Sequence, residues 1–242
     1  MKPTILVDQG YHNLNPKTNE RLVKGKTYED LSTICIVPSR GVMPTRVVQN
    51  WMSMMSPMNQ KFIRLFVIGM EVGDAYNSAI EMILSNPDLS KWKYILTMED
   101  DNMPPPDGLL NLYGGMKDYD VVGGLYWTKG YGGQPMCYGS PKENPVNFIP
   151  QLPVEPEFQE CRGLGMGFNL WRLSMFKDKK IPRPWFKTQQ EFIPNEGTKA
   201  FTQDLYFFQN AGKLGYKFAC ANHVKVGHYD FEGKFGPEDT VW

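Results

Sequence analysis

Three short apolar runs, at 33–37 (TICIV), 62–68 (FIRLFVI) and 94–98 (YILTM), end in turn or acidic residues and lead into segments with helical apolar spacing. A continuous apolar run of this length suits a strand buried on both faces, as in a parallel sheet. After the first run, Pro44 suits a first helical turn, and Val47, Val48, Trp51, Met52, Met54 and Met55 follow. After the second, residues 69–74 read as a turn, and Ala75, Ala79, Ile80, Ile83 and Leu84 mark a buried helical face. After the third, Asp107 is placed to cap a short helix carrying Leu109, Leu110 and Leu112. This alternation predicts βαβ units and an α/β fold with a mainly parallel central sheet flanked by helices, which puts ligand sites beyond the carboxyl ends of the strands. The acidic run Glu99-Asp100-Asp101 lies at such an end.

The second half is different in character. Residues 121–127 are strand-like, but 130–156 are crowded with Gly, Pro, Tyr and Asn and predict extended and loop structure over the sheet. Helical signals return at 168–176 and again from Thr202, an N-cap candidate, through Leu205, Phe208 and Leu214, with Lys213 in the last turn and Gly215 as terminator. A last strand at 217–221 leads to a tail with His223 and His228, while residues 8–32 read as an arm before the core. No repeat or linker divides the 242 residues, a length that suits one α/β domain.

Lys plus Arg equals Asp plus Glu at 26 each, which excludes a global positive field for capturing nucleic acid, and 41% hydrophobic residues exclude a disordered chain. Cys35, Cys137, Cys161 and Cys220 form no CxxC pair, so neither a zinc knuckle nor a disulfide framework is indicated. The N-terminus lacks a cleavable apolar core and no run has the length of a membrane span, so a soluble cytoplasmic protein without an integral membrane segment is expected.

Three adjacent carboxylates at a strand end repel one another unless solvent or a cation relieves them. Hard oxygen ligands suit Mg²⁺ or Mn²⁺, which bridge the phosphates of a nucleoside diphosphate. Alternation along an extended chain puts Glu99 and Asp101 on one side and Asp100 on the other. A solvated acidic turn before Pro104 is the competing reading. Gly163-Leu164-Gly165-Met166-Gly167 has the wrong spacing for a dinucleotide fingerprint; it reads either as a wall approached closely by a ligand or as a packing turn before a helix. Asp74 reads as a helix cap, and Asp204, in a first helical turn, is favoured by the helix dipole whatever else it does.

TICIVPSRG, YILTMEDDNMPPPDGLLNL, CRGLGMGFNLWRLSMF with IPRPWF, TQDLYFFQNAGKLGYKF and VKVGHYD, in this order, resemble the landmarks of GT-A fold glycosyltransferases of the family 2-like group. The resemblance spans residues 33–230 and implies a GT-A (Rossmann-like) fold, with residues 33–125 as the nucleotide-binding half and 126–242 as a mixed, loop-rich acceptor half. It implies transfer of a sugar from a nucleoside diphosphate sugar, a UDP-sugar being favoured, to a hydroxyl on a glycan, protein, metabolite or modified DNA base. Pro38, Ser39, Arg40, Asn77, Asp100 and Gly165 then face the donor; Glu99-x-Asp101 is a DxD-like pair that binds Mn²⁺ or Mg²⁺ with His228. Asp204 is the general base, and Trp185 and Phe186 flank the acceptor. His12 and His223 carry no such role. Two other classes compete: a sugar-nucleotide nucleotidyltransferase, for which PSRGVMPTR is a poor phosphate loop, and a non-catalytic carbohydrate-binding domain of the same fold.

Overall fold

The computed structural model describes residues 3–8, 29–130, 132–143, 147–194 and 197–230. The first half runs β1 (Thr4–Asp8), β2 (Thr33–Ser39), α1 (Thr45–Met52), β3 (Phe62–Ile68), α2 (Val72–Ser85), β4 (Tyr94–Met98), β5 (Asn102–Met103), α3 (Gly108–Gly115) and β6 (Val121–Leu125). The second runs β7 (Cys137–Tyr138), β8 (Phe158–Cys161), β9 (Gly163–Leu164), β10 (Phe168–Arg172), β11 (Gln189–Ile193), β12 (Gly197–Phe201), α4 (Gln203–Lys213), β13 (Phe218–Lys225) and β14 (Gly227–His228).

Eight strands form one sheet in the order β1-β3-β2-β4-β10-β6-β13-β8. The three apolar runs are its parallel heart: β2 lies between β3 and β4, with Ile36 opposite Leu65 on one side and Thr97 on the other. β6 and β13 form a second parallel pair, and β10 joins the groups by running antiparallel to both β4 and β6. β1 and β8 close the two edges antiparallel, so β2, β3, β4, β6 and β13 share one direction. All five residues of β4 and of β6 are buried, as strands covered on both faces must be.

One face packs α2 (Ala75, Tyr76, Ala79, Ile80, Ile83) and an aromatic cluster around Trp171; the other packs Val47 and Trp51 of α1 and Leu109 and Leu112 of α3. Val48 and Met52 of α1 are exposed, so its buried stripe is narrower than the sequence spacing implies. Trp171 stacks on Phe208 at 5.2 Å and donates its indole N–H to the Thr97 hydroxyl at 3.1 Å, which satisfies the one polar atom that this ring brings into the core.

Three sequence expectations are corrected. Residues 168–176 are not a helix: 168–172 form β10 and 173–177 a 3-10 turn. A short apolar run carries no decisive period, and the slot between β4 and β6 supplies main-chain partners on both sides. The cap of α2 is Glu71, whose carboxylate accepts from the Gly73 and Asp74 N–H groups, while Asp74 sits inside the first turn. β13 continues to Lys225, beyond the predicted 221. Thr4–Asp8, leading into the expected arm, adds an edge strand along β3.

Candidate functional site

The carboxyl ends of β2 and β4 lie side by side, and the residues leaving them are tied together. Ser39 accepts from Gly41 N–H at 3.0 Å with its hydroxyl and from Gly69 N–H at 3.2 Å with its carbonyl. Arg40 N–H donates to Asp100 Oδ2 at 3.2 Å, so the buried Asp100 carboxylate supports the strand-end loop that follows Pro38. The acidic run is a turn, closed by Asn102 N–H on the Glu99 carbonyl at 3.1 Å, rather than the extended segment assumed from alternation. Asp100 and Asp101 nonetheless contact different partners. Trp51 anchors the turn by donating its indole N–H to the Asn102 carbonyl at 2.7 Å.

β14 returns the distant histidine to this turn. His228 pairs with Asn102 across β14 and β5, and Tyr229 N–H donates to the Asp101 carbonyl at 2.7 Å. His228 Nδ1 lies 2.8 Å from the Trp127 carbonyl, which makes it the protonated nitrogen and leaves Nε2 as a lone-pair donor 3.8 Å from Asp101 Oδ2. Burial holds the imidazole below its ordinary pKa, with the Asp101 charge opposing, so the neutral form that ligates a cation is favoured. Asp101 Oδ1 is buried without a hydrogen-bond partner among the described residues. Among the described residues no group of three or more His, Cys, Asp or Glu side chains is arranged to hold an ion alone. One carboxylate and one imidazole still fit Mg²⁺ or Mn²⁺, because such ions complete their shell with water and substrate phosphates.

Asp204 lies close enough to Glu99 for its charge to act there. Burial, then the charges of Asp101, Asp204 and Asp100, push the Glu99 carboxyl up to about 8. A value near 8 favours the protonated Glu99 carboxyl at neutrality. Asp204 is buried in the first turn of α4, with its Oδ1 accepting from Leu205 N–H at 2.9 Å. Burial raises its pKa, and hydrogen bonds from the Thr202 hydroxyl and Leu205 partly offset that rise. A carboxylate moved toward neutrality is better matched to accepting a proton from a hydroxyl.

The Glu99 shift has a definite sign in stability. The folded state prefers the proton, so the stabilisation is complete below about 4.5 and is lost as the pH rises through about 8. The limiting slope for one proton is about 1.4 kcal/mol per pH unit. In EDTA, urea midpoints of the native protein are expected to fall relative to those of Glu99→Gln as the pH is raised between these values. Parallel curves for the two proteins would show that Glu99 is already ionised.

The other predicted site residues are engaged in packing and main-chain contacts. Asn77 spends both ends of its amide on the Phe186 main chain, donating to its carbonyl at 2.8 Å and accepting its N–H at 3.1 Å, so it clamps α2 to that segment. Gly165 and Gly167 are packing positions: a Cβ at Gly165 would lie 2.3 Å from Tyr126 Oη, and one at Gly167 2.7 Å from Asn102 Oδ1. Trp185 and Phe186, expected to flank an acceptor, are 1% and 2% exposed and pack in the aromatic core.

Two residues at the site carry no motif. Lys129 Nζ forms an ion pair with Asp101 Oδ2 at 2.7 Å, on the same oxygen that faces His228. Tyr126, 1% exposed, receives Gly167 N–H on its hydroxyl at 2.8 Å and meets the His228 ring edge-on at 5.4 Å. Both follow β6, and their place at the carboxyl end of a central strand was the available signal.

The mixed sheet, with β10 antiparallel among parallel neighbours and helices on both faces, has a GT-A-like fold, as two superpositions show. A197 from STIV superposes with a TM-score of 0.55 at 18% identity, covering 83% of this chain and 87% of that one. GalNAc-T7, in a crystal structure with UDP, GalNAc and Mn²⁺, superposes with a TM-score of 0.54 at 10% identity, covering 84% of this chain and 44% of that one. No protein-family model and no curated protein matches the sequence. Among the described residues no helix is long and apolar enough to cross a membrane.

Proposed function

We propose that this chain transfers a sugar from a nucleoside diphosphate sugar to a hydroxyl acceptor with Mn²⁺ or Mg²⁺. The observation that carries the reading is the convergence of Asp101, His228 and Asp204, from three distant segments, on the carboxyl ends of the central strands. The loop of Pro38, Ser39 and Arg40, supported by Asp100, offers the donor a surface at the same ends. A cation held by Asp101 and His228 would supply positive charge against the leaving diphosphate. Asp204 takes the proton of the acceptor hydroxyl, and the core around Tyr126 excludes water from one wall. The use of a UDP-sugar is an extension from GalNAc-T7, whose structure contains UDP and Mn²⁺.

The test is a panel of nucleoside diphosphate sugars with Mn²⁺, scored by calorimetry and by slow hydrolysis. Saturable, EDTA-sensitive binding of one of them is expected; no binding by any would sink the proposal. Lys129 adds a sharper check, because its ammonium must leave Asp101 when a divalent ion arrives. Lys129→Met is expected to bind Mn²⁺ about tenfold more tightly than the native protein in the absence of nucleotide, a change of about 1.4 kcal/mol. Unchanged or weaker binding would mean that Lys129 and the ion do not compete.

A further inference from the structure

A groove of about 990 Å³ runs beside α4. That volume is at the upper end of the roughly 300–1,000 Å³ of small-molecule sites, which leaves room for a ligand longer than one sugar ring. Its walls come from three separate segments: residues 147–149, the β11–β12 ribbon with the residues leading into it, and α4. Phe148 and Phe201 meet edge-on at 5.6 Å, and Gln189 stands opposite Phe201 in the ribbon, so the two share one of its faces. On α4, Leu205 and Gln209 are four residues apart and lie on one face of the helix. Thr188 donates its hydroxyl to the Gln203 amide oxygen at 3.3 Å, which ties the groove wall to the residue before Asp204. The groove thus lies beside the first turn of α4, which carries Asp204.

We propose that this groove is the acceptor site and that its occupant is a neutral oligosaccharide, an inference that rests on sugar transfer as the activity. The polar lining is almost without charge: Asn147, Thr188, Gln189, Gln190 and Gln209 are uncharged, and among the described residues Lys187 is the one ionic side chain and no carboxylate lines the groove. Gln189 and Gln190 are exposed. A side-chain amide presents two donors and an acceptor in one plane, which matches the neighbouring hydroxyls of a sugar, each itself donor and acceptor. The negative face of a phenyl ring suits the C–H face of a pyranose, and Phe148 and Phe201 supply two such rings. A polyanion such as nucleic acid needs a track of cations to replace its counterions, and one lysine is not such a track. A sugar seated here brings a hydroxyl toward the end of α4 at which Asp204 takes the proton.

The test uses the full chain in EDTA without donor, so that it depends on neither cation nor nucleotide. Saturation-transfer NMR and calorimetry are run against disaccharides to tetrasaccharides built on glucose, galactose, mannose and N-acetylglucosamine, and against serine- and threonine-containing peptides. Saturable binding of one saccharide series is expected, weakened about tenfold by Gln189→Ala combined with Gln209→Ala through the loss of two hydrogen-bonding amides. The double variant is expected to keep native affinity for Mn²⁺ and nucleoside diphosphate sugar. No binding by any saccharide, binding that the double variant leaves unchanged, or binding of the peptides in preference would each overturn the proposal. Intact binding of a nucleoside diphosphate sugar with no saccharide binding rejects the groove alone. Saccharide binding with no response to any nucleoside diphosphate sugar rejects sugar transfer, and the acceptor role with it.

Discussion

Asp204→Asn is expected to lower sugar transfer by about 10²–10⁴-fold, the range for removing a positioned general base, while Mn²⁺ and nucleoside diphosphate bind within about twofold of native affinity. The asparagine keeps the shape and can still accept the Leu205 N–H that Asp204 holds at 2.9 Å, so the fold of the α4 N-terminus is preserved. Only the carboxylate is removed. Because burial raises the Asp204 pKa, the acidic limb of the native pH–rate profile should lie above the ordinary carboxylate range and should vanish in the variant. Full transfer by Asp204→Asn would reject the base assignment, and a loss of less than tenfold with a raised acceptor KM would make Asp204 a positioning residue.

Phe186→Ala is expected to cost about 3–5 kcal/mol in urea denaturation, the cost typical of truncating a buried aromatic ring. The ring stacks on Phe207 at 5.1 Å and touches Tyr76, Trp171 and Phe176, while the Asn77 clamp binds only the Phe186 main chain and survives the change. The variant should show a lowered unfolding midpoint and, where still folded, an acceptor KM within about twofold of native, as expected of a residue away from bound substrate. A raised acceptor KM with unchanged stability would restore the role implied by the family resemblance.

These two residues show where the sequence was legible. Asp204 was singled out by the resemblance of TQDLYF to a family landmark, since its place in a first helical turn alone suits a dipole partner equally well; the structure buries it there. Trp185 and Phe186 were no clearer. Two aromatics after a proline suit a lid or a core equally well, and only the tertiary packing shows them among Trp171, Phe176 and Phe207. The same holds for 168–172: the run is apolar in either conformation, and only the vacant hydrogen-bonding slot between β4 and β6 makes it a strand. Gly165 and Gly167 illustrate a further limit, since glycine announces a close approach but not what approaches, here the Tyr126 hydroxyl and the Asn102 amide.

By itself the sequence determined the alternation of buried strands and helices, and hence the carboxyl-end edge of the strands as the side where a ligand is expected. Apolar period and turn chemistry are local properties, so a linear reading captures them. It also placed the acidic turn at that edge, but the competing reading of a solvated turn could be weighed only against residues far along the chain. The tertiary structure decided that His228 returns beside Asp101, that Lys129 occupies the same carboxylate oxygen, and that burial and the charges around Glu99 push its carboxyl up to about 8. Those outcomes depend on charge at short range across long sequence separations, and on burial that weakens screening by water, neither of which is carried by any one segment.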